Sequence, residues 1–86
     1  MPKVTVYSTM LCPYCFMAKK LLNKKGVEFE EIDVGRQPEL RQDMTERAGG
    51  RYTVPQIFIG DVHVGGCDDL HEAERSGRLD ELLAQA

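Results

Sequence analysis

The chain has 86 residues, three of which are cysteines, and its formal net charge at pH 7 is −3. This length suits one modest hydrophobic core, so we expect a single domain over residues 1–86. No apolar run reaches the length of a membrane span, no signal-peptide pattern is present, and the few basic residues lack an aromatic platform for nucleic acid. We therefore expect a cytoplasmic protein that binds neither membranes nor nucleic acids and whose cysteines are catalytic or metal-binding.

The first third of the chain predicts a strand, a helix and a second strand. Lys3–Tyr7 is rich in β-branched and aromatic residues, which is typical of a short buried strand. Pro13 suits the first position of a helix, and Gly26 suits the left-handed cap at its end. Val27–Val34 alternates between apolar and polar residues, as a second strand does. Because a helix connects the two strands, we expect them to be parallel in a βαβ unit.

Two cysteines lie at the junction between this strand and this helix, in the motif Cys12-Pro13-Tyr14-Cys15. The motif puts Cys12 at the helix N-cap, where unpaired N–H groups and the positive end of the helix dipole stabilise a thiolate. The thiolate is the nucleophilic form of cysteine. Cys15 follows in the same turn, close enough to attack a disulfide formed at Cys12. We therefore predict that Cys12 is the nucleophile and that Cys15 is the resolving thiol.

The rest of the chain predicts a helix, a hairpin and a final helical region. Apolar residues at steps of four between Leu40 and Ala48 indicate an amphipathic helix. Gln56–Ile59 and Val62–Val64 are separated by a Gly-Asp pair and predict a β-hairpin. Asp68 or Asp69 is expected to cap the next helix, and a short helical segment is expected after residue 77.

The predicted order of elements is β-α-β-α-β-β-α. It places helices on both faces of a four-stranded mixed sheet, which is the thioredoxin-like α/β architecture. A CxxC pair at the first strand–helix junction is the redox signature of that architecture.

Four segments of the chain resemble, in order and spacing, the dithiol glutaredoxins. They are Cys12-Pro13-Tyr14-Cys15, Thr53-Val54-Pro55, Gln56-Ile57-Phe58-Ile59 and Gly65-Gly66-Cys67-Asp68-Asp69-Leu70. A third cysteine directly after the glycine pair makes the chain most similar to the bacterial glutaredoxin 3 type, and the resemblance covers essentially the whole chain. It implies a glutathione-dependent thiol–disulfide oxidoreductase that serves electron transport and cell redox homeostasis through a redox-active pair of thiols.

The resemblance also implies a glutathione-binding site. Its residues would be Tyr14, Gln42, Thr53, Val54, Pro55, Gly66, Cys67, Asp68 and Asp69. A cis peptide bond before Pro55 would bring the Val54 backbone beside the thiols, and the following helix N-terminus would bind the γ-glutamyl carboxylate. Plain structural roles remain open for these residues: strand-starting proline, helix-capping aspartate, packing tyrosine, solvent-facing glutamine and small buried cysteine.

The loop before the first cysteine departs from the family pattern. Many members carry a lysine there that helps to bind a glutathione carboxylate and to steady the thiolate, whereas residues 8–11 of this chain are uncharged. Thr9 can only form hydrogen bonds. Lys19 and Arg51 are the candidate replacements for the missing cation.

Two other functions fit parts of the sequence. An iron–sulfur carrier would bridge two chains through Cys12, but relatives specialised for that role carry one thiol followed by Gly-Phe-Ser. The colour of the purified protein distinguishes such a carrier from an oxidoreductase. A structural zinc site would need Cys12, Cys15, Cys67 and His71, but a closed zinc site usually has a second matching ligand pair. We therefore expect no metal, glutathione as reductant and co-substrate, a monomer, and glutathionylated or disulfide-containing proteins as partners.

Overall fold

The computed structural model describes residues 2–85, which form a four-stranded sheet with helices on both faces. The elements are β1 (Val4–Ser8), α1 (Pro13–Lys24), β2 (Glu30–Asp33), α2 (Pro38–Arg47), β3 (Gln56–Ile59), β4 (Val62–Gly65), α3 (Cys67–Ser76) and α4 (Arg78–Ala84). The predicted thioredoxin-like order is confirmed, and the helical segment expected after residue 77 is α4. None of the helices within residues 2–85 combines the length and the apolar character that a membrane crossing needs.

The strands lie in the order β2-β1-β3-β4. β1 pairs in parallel with β2 and antiparallel with β3, which forms an antiparallel hairpin with β4. The βαβ prediction is therefore confirmed. β2 is shorter than the predicted Val27–Val34, because the N–H of Val27 still bonds to the carbonyl of Leu22 at the end of α1.

The two faces of the sheet carry separate apolar clusters. Successive side chains of a strand point to opposite faces, so Val6 and Ile57 pack against α1, α3 and α4, whereas Tyr7 and Phe58 pack against α2. Lys25 adds a polar link between helices, because its Nζ lies 2.7 Å from carboxylate oxygens of both Glu74 and Asp80. This packing holds the N-terminus of α1 at the end of β1, which is where the two thiols lie.

The start of α3 differs from the prediction that Asp68 or Asp69 is its N-cap. The N-cap is Gly66, and the helix already begins at Cys67. Gly65 has a φ of +119° and turns the chain directly from β4 into α3, so the helix starts before the aspartates. Asp69 is the third helical residue, and its Oδ2 accepts the Gly66 N–H at 2.9 Å.

Candidate active site

Cys12 occupies the N-cap of α1, as the sequence predicts. Its backbone is extended, Pro13 follows at the first helical position, and the Cys12 Sγ accepts a hydrogen bond from the Cys15 N–H at 3.1 Å. The first turn of α1, residues 13–16, carries no acidic side chain to offset the positive end of the helix dipole. The Cys12 sulfur therefore lies against the unpaired N–H groups and the positive end of the α1 dipole.

Cys15 lies in a different environment from Cys12. Its side chain is 1% exposed, whereas Cys12 is partly exposed, and both thiols are free. Burial, followed by the hydrogen bond with the Cys12 side chain, raises the pKa of the Cys15 thiol to about 12. Cys15 therefore stays protonated at neutral pH, which suits a thiol that acts only after Cys12 has reacted.

A cavity of about 330 Å³ opens beside Cys12. It is lined by Tyr14, Arg51, Thr53, Val54, Pro55, Gly66, Cys67, Asp68 and Asp69. The structure therefore brings together all of the residues that the resemblance assigns to glutathione, except Gln42. The Val54–Pro55 peptide bond is cis, as the resemblance implies, and the Val54 carbonyl oxygen lies 3.9 Å from the Cys12 Sγ.

Gln42 does not reach this cavity. It is exposed on α2, where its Nε2 lies 3.5 Å from the Glu46 Oε1. The preceding residue, Arg41, faces the loop before Cys12 (residues 9–11, called the thiol loop below), and together with Thr9 and Leu11 it lines a second cavity of about 510 Å³. The Arg41 Nη2 donates to the Tyr52 carbonyl at 2.8 Å. Sequence reasoning did not single out Arg41, because which side of α2 faces residues 9–11 depends on how the helix packs on the sheet.

The two candidate replacement cations are both held by carboxylates. Lys19 Nζ lies 2.7 Å from the Glu31 Oε2, to which Ser8 also donates. Arg51 Nη1 lies 3.1 Å from the Asp69 Oδ2, and both residues line the first cavity. The Gly66 N–H, which donates to the Asp69 carboxylate, and after it the Arg51 guanidinium hold the pKa of Asp69 below its usual value.

The third cysteine, Cys67, is buried at the start of α3. Burial, followed by the charge of Asp68, raises the pKa of its thiol. Its Sγ lies 3.5 Å from the Nδ1 of His71, and this ring nitrogen also lies 2.9 Å from the Cys67 carbonyl oxygen. Among residues 2–85, no group of three or more His, Cys, Asp and Glu side chains is arranged to hold a metal ion.

Comparison with known proteins gives consistent matches. The glutaredoxin family model matches residues 4–64. A glutaredoxin of Pseudomonas aeruginosa is 57% identical over 84 residues, covering 98% of this chain and 99% of that protein, and glutaredoxin 3 of Escherichia coli is 48% identical over 83 residues, covering 96% and 99%.

Solved structures agree with these sequence matches. The solution structure of a glutaredoxin from Brucella melitensis has a TM-score of 0.84 and 59% identity, covering 96% of this chain and 89% of that one. The crystal structure of a buckwheat glutaredoxin–glutathione complex has a TM-score of 0.86 and 32% identity, covering 95% of this chain and 76% of that one.

Proposed function

This chain belongs to the glutaredoxin family of thiol–disulfide oxidoreductases, and we propose that it reduces glutathione mixed disulfides and protein disulfides with glutathione as the reductant. The observation that carries the proposal is the cavity beside Cys12, which joins the Val54 backbone to the N-terminus of α3. The buckwheat relative was crystallised as a glutathione complex, which supports the same ligand here. We further propose that the chain acts as a single-domain monomer in the cytoplasm.

The first half-reaction acts on a mixed disulfide between glutathione and a protein. The Cys12 thiolate attacks the glutathione sulfur, the disulfide bond breaks, and the protein thiolate leaves and takes up a proton. A second glutathione, as its thiolate, then attacks the glutathione sulfur on Cys12. This step releases glutathione disulfide and restores the Cys12 thiolate.

Cys15 is needed only for protein disulfides. The Cys12 thiolate attacks one sulfur of the client disulfide, the client S–S bond breaks, and the other client sulfur leaves as a thiolate and takes up a proton. The Cys15 sulfur then attacks Cys12, forms the Cys12–Cys15 disulfide and breaks the bond to the client, which is released as a dithiol. Cys15 gives up its proton in this step, and the departing client thiolate takes up a proton. Two glutathione molecules reduce the resulting Cys12–Cys15 disulfide and leave as glutathione disulfide.

The charges around the thiols match the two ends of glutathione. The first N–H groups of α3 have no acceptor within the helix and suit the γ-glutamyl carboxylate, while Asp68 can accept from its ammonium group. The Val54 backbone can pair with the cysteinyl residue. Arg41, which borders the thiol loop where Thr9 replaces the family lysine, is our candidate for the glycine carboxylate; the role of Gln42 stays a prediction without a supporting contact.

The experiment is turnover of a glutathionylated peptide with glutathione. We expect Cys15→Ser to remain active and Cys12→Ser to be inactive, because only Cys12 takes part in the exchange of glutathione. Cys15→Ser should lose activity on a protein disulfide substrate. A native protein that is inactive with glutathione, but reduces protein disulfides with another dithiol, would show that the glutathione part of the proposal is wrong.

A further inference from the structure

A buried glutamine lies next to the candidate glutathione site but is not part of its lining. Gln56 is the first residue of β3, directly after Pro55, and its side chain is 0% exposed. Its Nε2 lies 3.0 Å from the Thr53 carbonyl oxygen and 3.3 Å from the Thr53 Oγ1. Its Oε1 lies 2.6 Å from the Nε2 of His63. The side chain therefore links the loop before the cis peptide bond to β4.

The hydrogen-bond partners determine which way this amide points. A carbonyl oxygen only accepts, so the Gln56 atom that faces Thr53 must be the amide nitrogen. The amide oxygen consequently faces His63, whose Nε2 must carry a hydrogen. The donation therefore runs in one direction, from His63 to Gln56 and from Gln56 to Thr53.

His63 is itself held by the sheet. It is the cross-strand partner of Phe58, and the two rings stack with centroids 4.8 Å apart and planes 23° from parallel. The Arg47 guanidinium lies over the Phe58 ring, 4.1 Å from its centroid, and the Tyr7 and Phe58 rings make an edge-to-face contact. The imidazole is thus fixed by neighbours that belong to the sheet and to α2.

This linkage determines the orientation of the peptide between Thr53 and Val54. In a planar trans peptide the carbonyl and the N–H point in opposite directions. Because Gln56 holds the Thr53 carbonyl towards the protein interior, the Val54 N–H must point away from it, on the side of the cavity that Val54 lines. Among residues 2–85, no backbone carbonyl accepts this N–H.

We propose that Gln56, held in place by its hydrogen bond with His63, is a positioning residue that orients the Val54 N–H towards the cysteinyl backbone of a bound glutathione moiety. The inference rests on the proposed function, because it assigns a partner to the Val54 backbone. Gln56 acts through the Thr53–Val54 peptide and takes no part in thiol exchange. Its loss therefore weakens substrate binding and leaves the sulfur chemistry unchanged.

The test is steady-state turnover of a glutathionylated peptide by Gln56→Met. Methionine has a similar length and apolar volume, but it can neither donate to Thr53 nor accept from His63. We expect the KM for the peptide to rise roughly three- to tenfold, the range that one hydrogen bond covers, with kcat within about twofold. Gln85→Met is the matched control, since Gln85 is exposed at the end of α4, and the KM of this variant should equal that of the native protein.

A second variant covers the case in which Gln56→Met does not fold. His63→Phe keeps an aromatic ring against Phe58 but removes the donor to Gln56, and we expect a smaller KM increase with unchanged kcat. In the double variant the two KM effects should not add, because both substitutions break one linkage. Amide NMR gives a direct measurement: S-methylglutathione should shift the Val54 N–H resonance of the native protein and shift it less in either variant.

The outcomes separate the two proposals. A native protein without glutathione-dependent turnover overturns the proposed function and this inference with it. Native turnover together with an unchanged KM in folded Gln56→Met and His63→Phe overturns the inference alone. A fall in kcat with an unchanged KM also overturns it, because the linkage would then serve the thiol chemistry.

Discussion

Replacing Gly65 by alanine tests the structure of the junction between β4 and α3. An added Cβ at Gly65 would lie 2.7 Å from the Asp69 Cγ, closer still to its Oδ2, and 2.9 Å from the Arg51 Nη1. The Asp69 carboxylate would have to move away from the Gly66 N–H that it now accepts. Gly50→Ala is the matched control: Gly50 also has a positive φ, +101°, but an added Cβ there would meet none of the described atoms within 4 Å.

The two substitutions share one cost and differ in another. Holding alanine at so large a positive φ costs roughly 1–3 kcal/mol at either position. Gly65→Ala also removes the hydrogen bond from the Gly66 N–H to the Asp69 carboxylate at the start of α3, and the loss of such a capping bond typically costs about 1 kcal/mol. The pair between Arg51 and Asp69 adds little, since both side chains are about half exposed. We therefore expect Gly65→Ala to lower the free energy of unfolding by about 1 kcal/mol more than Gly50→Ala does.

The assay is urea unfolding followed by far-ultraviolet circular dichroism, because the chain contains no tryptophan. Both substitutions are then repeated in an Asp69→Ala background, which removes the carboxylate that the new Cβ would displace. The extra cost of Gly65→Ala should fall to within about 0.5 kcal/mol of zero in that background. Equal costs in the native background, or an extra cost that persists without the Asp69 carboxylate, would refute this account of the junction.

Three further predictions concern charge and thiol reactivity. Lys25→Met should lower the free energy of unfolding by up to about 1 kcal/mol, less so in high salt. Arg75→Met breaks an ion pair whose two side chains are largely exposed, and it should have almost no effect in the same urea assay. Alkylation at about pH 8, mapped by mass spectrometry, should modify Cys12 well before Cys15, whose thiol has a pKa of about 12; equal rates would contradict the assignment. The pKa of Asp69 is lowered in the folded state, so its carboxylate stabilises the fold. This contribution to the free energy of unfolding should be complete at pH values well above the ordinary pKa of 3.8, and it should be lost as the pH falls through the pKa of the folded protein. The stability difference between native protein and Asp69→Asn should therefore shrink in acid, and a difference that grows as the pH falls would be evidence against that sign.

The secondary-structure elements and the position of the two thiols could be predicted from the sequence alone. The β-branched and aromatic residues of β1, the proline at the first position of α1 and the spacing of the two cysteines are local features, governed by residues close to each other in the sequence. The same local chemistry placed Cys12 at a helix N-terminus. The family resemblance then assigned residues to a site, but it did not show how they meet.

Which of those residues share a cavity, and how each is held, depends on the tertiary structure. A single residue step along α2 rotates a side chain by about 100°, so the choice between Gln42 and Arg41 depended on how α2 packs on the sheet. The cap of α3 moved to Gly66 because the turn from β4 left the aspartates inside the helix. The linkage from His63 to Gln56 joins residues on two strands, and no local pattern encodes it. Contacts of this kind depend on packing between distant segments, which periodicity and capping do not specify.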